Sequence, residues 1–292
     1  APGTSAGCSD REAPRRSRGA DAAPRRAAPT ARRPAAEVFD RPLPGHRSDV
    51  TTDDLGRRYL RDTRHRRDRL VGGRMDWSHQ PAWFKTYADA PRVPLPQPRD
   101  DSAGLFVALA RRRSVREYAQ WPLALNELSA LLWAAAGVTA RRAGLGLRTA
   151  PSAGALYPIE HYVAVHDVEG LEQGLYHYDV LGRALESLAA GDLRRRLAGA
   201  ALDQRVVAEA AVVFIWTAAL ERSRWKYGDR SLRYVLLDAG HIAENVALAA
   251  TALGLGSCQI AAFFDEEAAD LLGVDPDEEP VVYMSAVGRP RP

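Results

Sequence analysis

Apolar and polar residues along this chain sort into helical and strand-like stretches mainly beyond residue 100. Across residues 126–136, Leu128, Leu131, Leu132 and Ala135 recur at helical spacing, and Gly137 suits the C-terminal cap. A further helix is expected at 101–110, and strand-like runs follow at 161–165, 175–178 and 210–216. Residues 231–253 are apolar on almost every face, which predicts a long buried helix, and 280–287 predict a final strand. Helices and strands mix without regular alternation, so an α+β domain is favoured over a doubly wound sheet.

The first hundred residues read differently. Residues 1–45 form an Ala/Pro/Arg-rich leader whose composition predicts disorder. Within 46–100, residues 50–74 are charged and predict a helix, whereas 77–98 are aromatic and proline-rich. Prolines at 81, 91, 94, 96 and 98 prevent helix and central-strand pairing, while Trp77, Trp83, Phe84 and Tyr87 provide apolar surface, so this arm should strap onto the compact domain at 101–292.

With 292 residues, 46% of them hydrophobic, the chain has ample material for a packed core. The net charge of +3 invites a nucleic-acid reading, but eight arginines against three acidic residues at 1–36 carry that excess and leave the body close to neutral. No nucleic-acid partner is expected. Cys8 and Cys258 are too few for a disulfide framework, the seven histidines are scattered, and no metal site is expected. The leader lacks an apolar signal core, and Asp238, His241, Glu244 and Asn245 interrupt the most apolar stretch, so the expectation is a cytoplasmic protein without a membrane span. His241 is expected to be a satisfied buried histidine, Glu244 and Asn245 helix-interface groups, and Cys258 a core residue.

Several motifs carry candidate chemistry. Arg112-Arg113-Ser114-Val115-Arg116 follows an apolar helix, and guanidinium groups with a hydroxyl at that spacing can surround a phosphate, although a solvated basic helix end has the same sequence. The loop Ala150-Pro151-Ser152-Ala153-Gly154-Ala155-Leu156-Tyr157-Pro158 is built of small residues that let a planar ligand approach the backbone. Gly254-Leu255-Gly256-Ser257 would expose backbone N–H groups but lacks the context of a dinucleotide fingerprint. Gly288 and Arg289 close the last strand. Finally, Trp225-Lys226-Tyr227-Gly228 contains one of only two lysines, the other being Lys85, in a chain with 40 basic residues. Retention of a titratable amine amid so much arginine points to a proton-handling role, or more blandly to a surface lysine beside a packing tyrosine.

In this order and spacing, RRSVREY, APSAGALYP, YVLLDAGHIAENVALAATALGLGS and AVGRP resemble the nitroreductase-like flavoproteins, and more closely their SagB-type dehydrogenase branch. The resemblance implies an α+β nitroreductase-like fold with a central mixed or antiparallel sheet surrounded by helices. It implies FMN as cofactor, its phosphate held by Arg112, Arg113, Ser114, Arg116 and Arg289 with Gly288 beside it, and its ring near Ser152, Gly154 and Gly256. It also implies a homodimer, a cyclodehydratase partner and a leader-bearing peptide substrate. Lys226 and Tyr227 match the pair associated with proton removal in azoline dehydrogenases: Tyr227 would take the ring proton, and the adjacent ammonium would favour its phenolate. The alternatives are an NAD(P)H-dependent nitroreductase or flavin reductase and a non-catalytic FMN-binding subunit. The N-terminal signature of the branch is only partly matched by the stretch from Tyr59 to His65.

Overall fold

The computed structural model describes residues 59, 62, 76–96, 104–142 and 145–291, which all belong to one compact unit, Leu55–Pro292. The leader, and all of the expected 50–74 helix except residues 59 and 62, lie outside the described residues.

In chain order the strands are β1 (Arg92–Pro94), β2 (Tyr118–Ala119), β3 (Val138–Arg142), β4 (Leu145–Arg148), β5 (Ile159–Val165), β6 (Gly174–Asp179), β7 (Ala184–Ala190), β8 (Val212–Ala218), β9 (Gly256–Ile260) and β10 (Val281–Pro290). The helices are α1 (Leu105–Arg111), α2 (Leu125–Ala136), α3 (Arg194–Ala200), α4 (Arg205–Glu209), α5 (Leu220–Tyr227), α6 (Ser231–Ala252) and α7 (Asp265–Leu272). Eight strands form one sheet in the order β1-β7-β6-β5-β8-β10-β2, with β9 also on β10, and β3 and β4 form a separate hairpin. Every ladder is antiparallel.

Alternation along the central strands builds two cores. Val163, Val165, Phe214 and Trp216 face α2 and α6, whereas Tyr162, Ala164, Val213 and Ile215 face α3, α4 and α7. Because both faces are covered, β5 and β8 are buried at every position; β8 reads as a nearly continuous apolar run, whereas β5 also buries Glu160 and His161. Helix α2 begins where the Glu127 carboxylate accepts the Ala124 N–H at 2.8 Å.

The arm does strap onto the domain. Arg92–Pro94 pairs at the edge of the sheet with β7, where a proline-bearing strand is tolerated. Lys85 donates to Tyr162 (2.7 Å) and Glu279 (2.5 Å), the Tyr87 N–H donates to Glu186, and Arg92 pairs with Asp179 and Glu186.

The long helix α6 departs from all-round burial. Val235, Ala239, Ile242 and Val246 are buried, but Leu232, Leu236 and Leu237 are exposed, and α1, which packs on α6, exposes Leu105, Phe106 and Leu109. The apolar pattern therefore records a second surface as well as the core. His241 is exposed rather than buried, because it projects from the helix away from the sheet. Cys258 is a core residue.

Candidate functional site

The basic turn is held by its backbone, which leaves its polar side chains outside. After α1, the Val115 N–H donates to the Ser257 carbonyl at 2.9 Å, so Ser114 bridges to Ser257 at the start of β9. Val115 fills the space beside Gly256, where a Cβ would lie 2.7 Å from it, and the Tyr118 ring fills that beside Gly288. The glycine pair is thus not an open loop as expected: Gly256 lies within a strand and is buried, and its lack of a side chain admits Val115. Arg113, Ser114 and Arg116 are exposed. Arg113 donates to the carbonyls of Ala110 and Arg112, capping α1, and Arg112 lies 3.8 Å from Glu244 on α6. Asn245 donates to the Ala134 carbonyl, as expected of a helix-interface group.

Arg289 sits where β10 passes β2, but its guanidinium donates to both Glu127 oxygens (2.9 and 3.1 Å) and to the Pro122 carbonyl. The structure thus brings Arg112, Arg113, Ser114 and Arg116 into one turn, while Arg289 is engaged at the start of α2. Glu127, an unremarked residue in an apolar helix, supplies this competing carboxylate.

The serine loop is fixed by a residue that the motifs did not single out. Ser152 donates to Asp238 of α6 at 2.5 Å, the Ala153 N–H reaches the same carboxylate at 3.4 Å, and the Tyr157 N–H donates back to Ser152 at 2.9 Å. Asp238 is only 5% exposed, and burial raises its pKa despite these hydrogen bonds. Its place among the polar interruptions of an apolar helix was the available signal. Three residues of the loop adopt positive φ: Gly154 at 65°, Ala155 at 55° and Tyr157 at 48°. For the latter two this is backbone strain held by the surrounding bonds.

Helix α5 brings Lys226 and Tyr227 to that loop. A Cβ on Gly154 would lie 2.6 Å from the Tyr227 hydroxyl and 2.8 Å from the Lys226 amine, so both polar tips converge on one point beside the glycine. The pair is half-buried, with the amine 5.3 Å from the phenol ring and that ring in edge contact with Tyr234 at 4.7 Å. The helix is anchored by buried Arg222, which bonds to the Ala82 and Tyr157 carbonyls and pairs with Glu160. Trp225 donates to the Asp76 carbonyl, tying the arm to the same helix.

Both halves of the site hang from α6. Asp238 holds the loop and Glu244 meets Arg112, ~9 Å further along the helix axis at 1.5 Å per residue. Exposed cationic and hydroxyl donors at one end, and a small-residue loop facing an amine and a phenol at the other, can accommodate an anionic group and a planar ring. No helix among the described residues is long and apolar enough to cross a membrane.

The nitroreductase family model matches residues 109–289 of this chain. A protein of Methanocaldococcus jannaschii named as a nitroreductase is 46% identical over 181 residues, which make up 62% of this chain and 88% of that protein. The trifolitoxin-processing protein of Rhizobium leguminosarum is 33% identical over 147 residues, covering 49% of this chain and 39% of its own length. A crystal structure from Anabaena variabilis, described as a nitroreductase, is 32% identical with a TM-score of 0.62, over 70% of this chain and 42% of that one. This chain therefore spans less than half the length of the Rhizobium and Anabaena proteins.

Proposed function

Because this chain belongs to the nitroreductase family, we propose that it is an FMN-dependent oxidoreductase that dehydrogenates thiazoline or oxazoline rings in a ribosomally made peptide. The observation that carries this reading is the convergence of the Lys226 amine and Tyr227 hydroxyl on Gly154, the glycine of the loop expected beside a flavin ring. Similarity to a trifolitoxin-processing protein supports a peptide substrate.

The residues fit the cofactor. Arg112, Arg113, Ser114 and Arg116 present donors from one turn to a terminal phosphate, and Arg289 joins them by exchanging Glu127 for it. Ser152 and Gly154 border the ring, while Gly256 and Gly288 act indirectly, by admitting Val115 and Tyr118 and so setting the turn against the sheet. Bound FMN would supply a hydride acceptor at N5. Tyr227 removes the ring proton, with the Lys226 amine beside its hydroxyl. Because Gly154 has no side chain, both tips reach the backbone of the loop.

Exposed Leu105, Phe106, Leu109, Leu236 and Leu237 suit a homodimer interface across α1 and α6. A cyclodehydratase and a leader-bearing peptide complete the proposed assembly. The test is the visible spectrum of the purified protein and the identity of released flavin, followed by turnover of an azoline peptide. Lys226→Ala and Tyr227→Phe should each retain flavin and lose turnover. Unchanged turnover in both would remove the pair from the mechanism.

The relative from M. jannaschii favours a second reading, a nitroreductase or flavin reductase driven by NAD(P)H. Rapid bleaching of the flavin by NADPH, with no oxidation of azoline peptides, would establish it.

A further inference from the structure

Beside the serine loop lies a narrow cavity with room for about one water-sized occupant, lined by that loop, the end of α2, the start of β5 and the middle of α6. Its walls are mostly apolar, but two of its lining residues, Arg148 and His161, each carry a buried nitrogen, Nε and Nε2, that has no hydrogen-bond partner. Unpaired donors at such depth are uncommon, and here two belong to residues that line one cavity.

The protonation of His161 follows from its other nitrogen. Trp216 donates its indole N–H to His161 Nδ1 at 3.1 Å, so Nδ1 carries no proton and the neutral ring places its hydrogen on Nε2. The side chain is completely buried; burial first, and the charge of Arg148 second, lower its pKa to about 3, so the ring is neutral at physiological pH. Arg148 is equally fixed. Its guanidinium carbon lies 4.5 Å from the Tyr157 ring centroid and 5.5 Å from that of Phe84, and it remains cationic although burial lowers its pKa to about 10. Tyr157 contributes a third donor, because its hydroxyl accepts the backbone N–H of Arg148 at 3.1 Å and keeps its own proton to give.

The residues that line the cavity therefore carry three donors and a guanidinium charge. The carboxylate among its lining residues, Asp238, is engaged by the Ser152 hydroxyl and the Ala153 N–H. We propose that this cavity is a binding site for a monoatomic anion of the chloride class, held between Arg148 Nε–H and His161 Nε2–H. Oxyanions such as phosphate exceed the space, and a metal cation would meet only donors and a like charge at those two nitrogens. The bound ion cross-links β4 and β5 beneath the loop that carries Ser152 and Gly154. The site stands independently of the flavin assignment, since none of its donors belongs to the phosphate turn or the Lys226–Tyr227 pair.

Crystals of the full chain grown with bromide in place of chloride test the assignment. The expected result is an anomalous bromide peak within hydrogen-bonding reach of Arg148 Nε and His161 Nε2. A peak that refines as water in bromide-grown crystals, or no peak, overturns it. In solution, the unfolding midpoint at constant ionic strength should rise as chloride replaces gluconate, and this dependence should be lost in Arg148→Met. Should that variant not fold, Arg148→Lys is read in the same way, because a lysine has no donor at the Nε position. Full halide dependence retained in the folded variant would also overturn the proposal.

Discussion

Gly154→Ala separates the chemistry of Lys226 and Tyr227 from their packing. Gly154 has φ 65°, a left-handed conformation that costs a residue with a Cβ roughly 1–2 kcal/mol. The new methyl carbon would begin 2.6 Å from the Tyr227 hydroxyl and 2.8 Å from the Lys226 amine. Those are the far ends of flexible side chains, so they give way instead of unfolding the loop, and restoring ordinary contact moves them by roughly 1 Å. A misplacement of that size in a reacting group costs on the order of 100-fold in rate. For a domain of this size the backbone cost corresponds to a fall of about 2–8 °C in unfolding midpoint. The assay pairs a thermal melt and an FMN titration with turnover of an azoline peptide. The expected variant is slightly less stable and, at FMN concentrations that the titration shows to be saturating, turns over about 100-fold more slowly. If turnover stays within a few-fold of wild type while the midpoint falls as calculated, the two tips do not act beside Gly154.

Glu160 governs acid stability: burial alone would raise its carboxyl, but the hydrogen bond from His177 and the charges of Arg222, His177 and Arg148 outweigh burial and hold the pKa at about 2. Since this folded value lies below the ordinary 4.5, its contribution is present above pH 4.5 and is lost as pH falls toward 2, amounting to at most about 3 kcal/mol; urea melts across that window should show the slope, and Glu160→Gln should flatten it. Arg289 must leave Glu127 to reach a phosphate, so Glu127→Gln, which keeps the acceptor for the Ala124 N–H, should tighten FMN binding several-fold by fluorescence titration. An unchanged or weakened affinity would assign Arg289 to bracing α2. Leu236 is 51% exposed, so Leu236→Asp should change the melting temperature of the single chain little but shift a dimer to monomer in light scattering. A variant that remains dimeric would place the interface elsewhere.

Long periodic segments were legible in the sequence. Helix α2 runs from Leu125 to Ala136 against an expected 126–136, and the strands expected at 161–165, 175–178, 210–216 and 280–287 all appear, extended or shifted by one to three residues. Short strands were not: β1, β2 and the β3–β4 hairpin are two to five residues long, too few to establish a period, and β7 (ALESLAA) lacks the β-branched residues that mark a strand. The basic turn, the serine loop and the Lys-Tyr pair were visible as motifs because each is contiguous. Asp238, Glu127, Arg148 and His161 were not, because each matters only through a partner from a different part of the fold: Ser152, Arg289, a shared cavity and Trp216. Gly256 and Gly288 were legible as necessary glycines but for the wrong cause, since the neighbour that excludes a side chain is Val115 or Tyr118.

The two lysines show how far rarity can carry an inference. Lys85 is as exceptional in this arginine-rich chain as Lys226, yet it has a complete structural explanation: its ammonium sits between the Tyr162 hydroxyl and Glu279, 5.4 Å from the Tyr87 and Tyr162 ring centroids. A compact point charge fits that corner better than a planar fork does. Burial lowers the pKa of Lys85, but the Glu279 hydrogen bond and charge outweigh it and leave the pKa raised, so this lysine stays charged and transfers no proton. Rarity alone therefore does not distinguish chemistry from packing. Lys226 differs in its surroundings, since it makes no ion pair among the described residues and its amine lies with the Tyr227 hydroxyl against Gly154. Replacement by arginine should separate the two. Lys85→Arg should destabilise the fold by about 1–3 kcal/mol through a misfitted buried pair, with little effect on turnover per folded molecule. Lys226→Arg should melt like wild type and lose turnover, because a bulkier, planar cation displaces the phenol without matching the geometry of the amine. If both variants instead lose stability and retain specific activity, Lys226 is a packing residue like Lys85, and proton removal belongs to another group.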